Sequence, residues 1–171
     1  AGEAIADADL EVVEEVLVRH EVLIDEVAID EAIEPTSVRD LYIVPATIEL
    51  AGAEIELVSM FSREQRLKTA LSDIRDDYDF VLIDCPAGIE QGFRNAVAGA
   101  SEAIIVATPE VASIRDADRV AGLLAARDVP AKLIVNRLDL NLVRRGDMLS
   151  EEDVIDVLAL DLLGVVPLDN E

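Results

Sequence analysis

Five short stretches of the chain are almost wholly apolar: 41–45, 80–84, 103–107, 133–136 and 164–167. None alternates apolar with polar positions. Near-continuous runs of this length are what strands buried on both faces of a parallel sheet require. Between them the spacing lengthens to that of helices. Leu67, Leu71 and Ile74 form a stripe behind Ser62-Arg63-Glu64-Gln65, which predicts a capping box with Ser62 as N-cap and Gln65 reaching back. A second helix is predicted over 113–127, with Ile114, Ala117, Ala121 and Leu124 on one face. A third starts at Ser150, where Ser150 and Asp153 make another box, and buries Val154, Val157 and Leu158, reaching toward Leu162. A shorter helix is expected over 89–100, and 9–18 and 29–33 are helical candidates. Strand and helix alternate, which predicts an α/β fold with right-handed crossovers and a mostly parallel sheet. No linker rich in Gly, Pro or Ser and no repeat divides the sequence, so 1–171 is expected to form one domain or part of one.

Composition narrows the function classes. The 171 residues suit a single domain. A net charge of −23 leaves no broad basic footprint, so a nucleic-acid partner is not expected. Cys85 is the only cysteine and His20 the only histidine, which excludes a disulfide scaffold and a Cys/His zinc cluster. The longest uncharged stretch, 41–48, is far short of the ~20 residues needed to span a bilayer. The chain starts at Ala1 without a basic, then apolar, leader, so a cytoplasmic protein is expected. Lys68 and Lys132 stand against twelve arginines and 37 carboxylates, a balance expected of a surface adapted to high salt.

In open α/β sheets ligands bind beyond the carboxyl ends of the strands. Phe80-Val81-Leu82-Ile83-Asp84 has the form of a Walker B strand, whose carboxylate can hold Mg²⁺ through water. Gly88 would let a backbone N–H approach a terminal phosphate. The competing reading is that Asp84 caps the next helix. Asn136, just past a strand, can give and accept hydrogen bonds on a purine edge, or serve as a turn residue. Asp139, three positions on, resembles the guanine-selecting carboxylate of GTPases, with Arg137 in place of a lysine. Asp7-Ala8-Asp9 either ends a strand with a switch carboxylate or opens an exposed helix. Glu110 and Asp116 flank a helix start and suit its dipole. Cys85 reads as core-adjacent, His20 as a surface residue, and Arg144-Arg145-Gly146-Asp147 as a solvated loop or a contact for phosphate or a partner. No glycine in the chain is followed by lysine, so the Gly-Lys loop that cradles phosphates is missing from these residues.

The stretch from Tyr78 to Glu90, which contains Asp84-Cys85-Pro86-Ala87-Gly88, resembles the Walker B and switch II region of the MinD/ParA family of deviant Walker A ATPases. The likeness continues from Thr108 to Arg119, from Arg145 to Val154 and from Leu163 to Pro167. Residues 78–169 are most similar to the MinD branch; residues 20–77, with Val22 to Val27 and Ala51 to Ser59, and Cys85 itself, look more like the ParA/Soj branch. The resemblance implies a P-loop NTPase-like, mostly parallel sheet with helices on both faces, expected here to lack its first strand and P-loop. It implies ATP and Mg²⁺ as cofactors, and a switch for division-site placement or chromosome and plasmid partitioning. By position it makes Asp84 the Walker B carboxylate near Mg²⁺ and sets Gly88 near the γ-phosphate. Asn136 and the Pro167 segment would then lie at adenine with Arg137 among the cofactor-binding residues, Asp9 would be the switch I carboxylate, and Glu110 and Asp116 would lie near the dimer face. It further implies a homodimer, a regulatory or cargo protein as partner, and peripheral membrane attachment only through a C-terminal helix not found here. Without the phosphate lysine, this chain is expected to hydrolyse ATP poorly. A nucleotide-free scaffold that keeps the fold and the dimer face is the alternative; a GTP-binding domain is a weaker one.

Overall fold

A computed structural model of the chain describes residues 12–16, 20–24, 27–45, 60, 62–85, 88–89 and 91–169. Its contacts divide it into two compact units, Ala1–Gly99 and Ala100–Glu171.

The first unit carries a sheet in the order β2-β3-β1-β4. Its strands are β1 (Val12–Val16), β2 (Glu34–Pro35), β3 (Leu41–Val44) and β4 (Phe80–Val81). β1 runs parallel to β3 on one side and to β4 on the other, with Val12 opposite both Leu41 and Phe80. The two-residue β2 is antiparallel to β3. The helix considered for 9–18 is therefore corrected to a strand over 12–16. Three of its five residues are β-branched valines, which a pleated ladder accommodates better than a helix. The predicted strand 80–84 pairs only through Phe80 and Val81; residues 82–85 continue without a ladder.

Helix α1 (His20–Ile24), a 3₁₀ turn (Ile29–Ala32), α2 (Arg63–Ser72) and α3 (Gln91–Gly99) complete this unit. Val22, Leu23, Ile29, Ala32, Val44, Leu67, Leu71 and Ile74 form its core. The stripe Leu67, Leu71 and Ile74 is buried as its spacing predicts. The capping box at Ser62 does not form. Ser62 has φ 55° and makes no side-chain cap bond; its carbonyl instead accepts the Gln65 N–H at 2.8 Å. Arg66 supplies a cap elsewhere: its Nη1 donates to the carbonyls of Leu23 at 2.7 Å and Ile24 at 3.3 Å, where α1 ends. Helices α2 and α3 meet closely at Gly99, where an added Cβ would lie 3.2 Å from Leu71 Cδ1.

The second unit is a parallel sheet in the order β5-β6-β7, formed by Ala103–Ala107, Ala131–Leu138 and Asp161–Pro167. Helices α4 (Val111–Ala125) and α6 (Glu151–Leu158) touch each other and the strands, so they form one layer against the sheet. The six-residue α5 (Leu140–Arg145) follows β6. Ile105, Ala107, Leu133, Val135 and Leu138 are buried on the sheet; Ile114, Ala117, Leu124, Val154 and Leu158 are buried on the helices. The box at Ser150 and Asp153 forms in full. Burial on both faces is corrected for this unit. Ile104, Val106 and Val166 are 47%, 59% and 49% exposed, because side chains alternate across a strand and α4 and α6 cover one face. Val157 is exposed as well, since Val154 and Leu158, four apart, define the inward stripe of α6.

Candidate functional site

Three of the residues assigned to cofactor binding, Asn136, Arg137 and Pro167, lie together at the carboxyl end of the second unit's sheet. Along the β6–β7 ladder Asn136 pairs with Val166 and Leu138 with Pro167. Arg137 is thus one residue too many on β6. It takes φ 61°, a left-handed conformation that a non-glycine residue adopts only under local constraint. A bulge of this kind re-aims its neighbours. Here it leaves Asn136 half-buried, Arg137 and Pro167 exposed, and the ladder closed just beyond by the Leu168 N–H donating to the Leu138 carbonyl at 3.0 Å. Pro167 has no N–H to place in a ladder and sits at the end of the outer strand, where none is needed.

Asp139 does something other than read a base. Its Oδ1 accepts the N–H groups of Asn141 at 2.8 Å and Leu142 at 3.3 Å, so its carboxylate is the N-cap of α5. That occupation withdraws the geometric support for a guanine reader. Gly146, at φ 76°, closes the same helix. Arg145 is paired with Asp147 at 3.1 Å, while Arg144 is exposed.

The loop after β5 starts α4. Ser113 Oγ accepts the Thr108 N–H at 3.0 Å, and Pro109 between them is buried. Glu110 holds the N-cap position without a side-chain cap bond, and Asp116 lies in the second turn; both are exposed.

Asp84 and Gly88 belong to the first unit. Asp84 follows the short β4 and is exposed, so its carboxylate faces water, as an outer-sphere magnesium ligand needs. Gly88 has φ +108° with open space where a Cβ would sit, so glycine is required there by backbone conformation and not by crowding. Burial, and then the negative charge of Asp84, push the Cys85 thiol up, which keeps it protonated and a poor nucleophile. Asp9 lies outside the described residues. So do the side chain of His20 and the segment 51–59. Among the described residues no group of three or more His, Cys, Asp or Glu could hold a metal ion by itself, so a cation at Asp84 would need water and phosphate oxygens. Lys132 is held by Glu102 at 2.8 Å, and Lys68 is exposed on α2. Asp84, in the first unit, suits a cation held through water, and Asn136, in the second, carries an amide that can hydrogen-bond a base edge; neither lysine sits in a glycine-rich loop. The bulge at Arg137 carries no signal in composition or spacing, since a bulge is a property of two paired strands.

Comparison with known proteins gives the class. Residues 4–125 match the AAA domain family. The chain belongs to that family, and within it to the MinD/ParA group of ATPases, whose members share the P-loop NTPase fold. Several of its relatives are septum site-determining proteins. The septum site-determining protein MinD of Synechocystis is 45% identical over 152 residues, 88% of this chain and 55% of that protein. MinD of Aquifex aeolicus, solved as MinD and in a MinC:MinD complex, is 32% identical with a TM-score of 0.78, covering 94% of this chain and 71% and 70% of those chains. MinD of Pyrococcus horikoshii, solved with Mg-ADP, shares the fold at 24% identity, with a TM-score of 0.77 over 94% of this chain and 70% of that one. The chain spans about half the length of the curated relatives it matches. Among the described residues, no helix is long and apolar enough to cross a membrane.

Proposed function

We propose that the chain is part of a single MinD/ParA-type switch domain, binding ATP with Mg²⁺ and acting in division-site placement or in chromosome or plasmid partitioning. The observation that supports this most directly is the bulged β6–β7 register, which brings Asn136, Arg137 and Pro167 together at the carboxyl end of the second unit's sheet. In this reading the Asn136 amide meets the adenine edge, and Arg137 and Pro167 flank the base. Asp84 holds Mg²⁺ through water, Gly88 offers its N–H to the terminal phosphate, and Asp9 orients the attacking water. Glu110 and Asp116 lie on the face of a homodimer. The bound nucleotide would supply the phosphoanhydride, and the metal would neutralise its charge. With no Gly-Lys loop in these 171 residues, the chain alone binds the triphosphate weakly and hydrolyses it poorly. A MinC-like regulator is the partner class suggested by the Aquifex aeolicus complex. The expected location is cytoplasmic, with membrane contact only through a further segment.

The test is titration with fluorescent ATP and GTP, with and without Mg²⁺. It uses this chain joined behind the Walker A segment of a relative, as wild type and as Asn136→Ala. Adenine-selective, Mg²⁺-dependent binding that Asn136→Ala weakens roughly 10-fold supports the proposal. A guanine preference, or equal affinity for the Asn136→Ala protein, removes it. The missing phosphate lysine favours one second reading, a nucleotide-free scaffold that retains the dimer face, and absence of any nucleotide binding would select it.

A further inference from the structure

The loop between α5 and α6 is fastened along its whole length. Gly146 and Asp147 donate their N–H groups to the carbonyls of Val143 and Leu142, both at 3.0 Å. The Leu149 N–H reaches the carbonyl of buried Pro109, after β5, at 3.4 Å. Ser150 then opens α6 with its capping box. In the middle, the Met148 thioether accepts the Asp139 N–H at 3.4 Å. One sulfur therefore holds the residue that follows β6 and caps α5.

A thioether is a weak acceptor, and it is also the group in this loop open to two-electron oxidation. Met148 is half-buried, so a small oxidant reaches it; the chain's other methionine, Met60, is also half-buried, packed against the first unit's core, and Met60→Leu controls for its oxidation. We propose that Met148 is a peroxide-responsive latch: oxidation to the sulfoxide releases the Asp139 N–H and loosens the start of α5. In the reaction the sulfur lone pair attacks the terminal oxygen of a hydroperoxide. The S–O bond forms as the O–O bond breaks; sulfur is oxidised by two electrons, and the reduced peroxide oxygen takes up a proton and leaves as water or alcohol. The S–O oxygen cannot fit between the Asp139 nitrogen and a sulfur 3.4 Å away, so the N–H and the oxidised side chain must move apart. The longer, polar side chain no longer bridges Asp139 and the loop. The cap that Asp139 gives to Asn141 and Leu142 loses its anchor with it. The proposal does not depend on whether Asn136 reads a base.

The test treats the chain with dilute hydrogen peroxide, maps the added oxygen by peptide mass, and follows amide hydrogen exchange. Wild type, Met60→Leu and Met148→Leu are compared, since Leu conserves the volume of Met. In wild type and Met60→Leu, peptides covering 139–142 should exchange about 5- to 10-fold faster once Met148 carries oxygen. Methionine sulfoxide reductase with a dithiol should reverse the change. In Met148→Leu, peroxide should leave exchange at 139–142 unaltered. The latch is overturned if Met148 resists peroxide that oxidises free methionine. It is overturned equally if oxidised Met148 leaves 139–142 protected, or if Met148→Leu responds like wild type.

Discussion

Replacing Asp139 separates the two roles its position offers. As an N-cap, its Oδ1 satisfies two backbone N–H groups that the first turn of α5 leaves without helical partners, at 2.8 Å and 3.3 Å. Asp139→Ala removes both bonds, and loss of such a cap costs about 1 kcal/mol, within a range of roughly 0.5–2. The residue is half-buried and the 3.3 Å bond is long, so water replaces part of the loss and the lower half of that range applies. Asp139→Asn keeps a carbonyl oxygen in place and caps nearly as well, so it should stay within a few tenths of a kcal/mol of wild type. With a urea slope of about 1–3 kcal/mol/M, Asp139→Ala should unfold at roughly 0.2–1 M less urea, and Asp139→Asn at almost the wild-type midpoint. The second readout is purine choice in the Walker A fusion. A carboxylate that recognises guanine is disabled by Asp139→Asn, whereas a cap is not. The reasoning fails if Asp139→Ala melts with wild type, or if Asp139→Asn changes the ATP-to-GTP preference while stability holds.

Three further outcomes follow from the same geometry. Ala159 closes α6 with φ 50°, a conformation that costs an L-residue about 1–2 kcal/mol; Ala159→Gly should stabilise the chain by about 0.5–1 kcal/mol after the added entropy of the unfolded chain, and a lower urea midpoint would refute this. Hydrogen bonds from the Ser150 backbone and then its hydroxyl hold the Asp153 carboxyl below its ordinary value of 3.8. That contribution is present above the unfolded value and is lost as pH falls through the lowered folded value, so Asp153→Asn should show a flatter acid limb than wild type, and identical limbs would contradict it. The 37 carboxylates against 14 basic residues should make thermal unfolding rise with added KCl as cations screen self-repulsion, and a midpoint indifferent to KCl would remove the high-salt reading.

Local chemistry was enough for much of the second unit. The apolar runs at 103–107 and 133–136 became β5 and the middle of β6, and Ile114, Ala117 and Leu124 are buried on α4 as their spacing required. Ser150 and Asp153, three apart, make their box because both partners lie within one helical turn. The family likeness was equally legible, being a matter of residue order. The tertiary structure decided what depends on distant segments. At Ser62 the same spacing failed, because the residue sits in a left-handed turn that leaves its hydroxyl without a cap to make. Residues 12–16 became a strand because β3 and β4 offer edges on both sides, and a ladder bond needs a partner that no local window contains. The exposure of Ile104 and Val106 depends on which face α4 and α6 cover, and the left-handed Arg137 on the register of β7. Asp139 was read from its order after Asn136, yet its role went to the helix it starts, since two N–H groups within 3.3 Å claim a carboxylate before any ligand can.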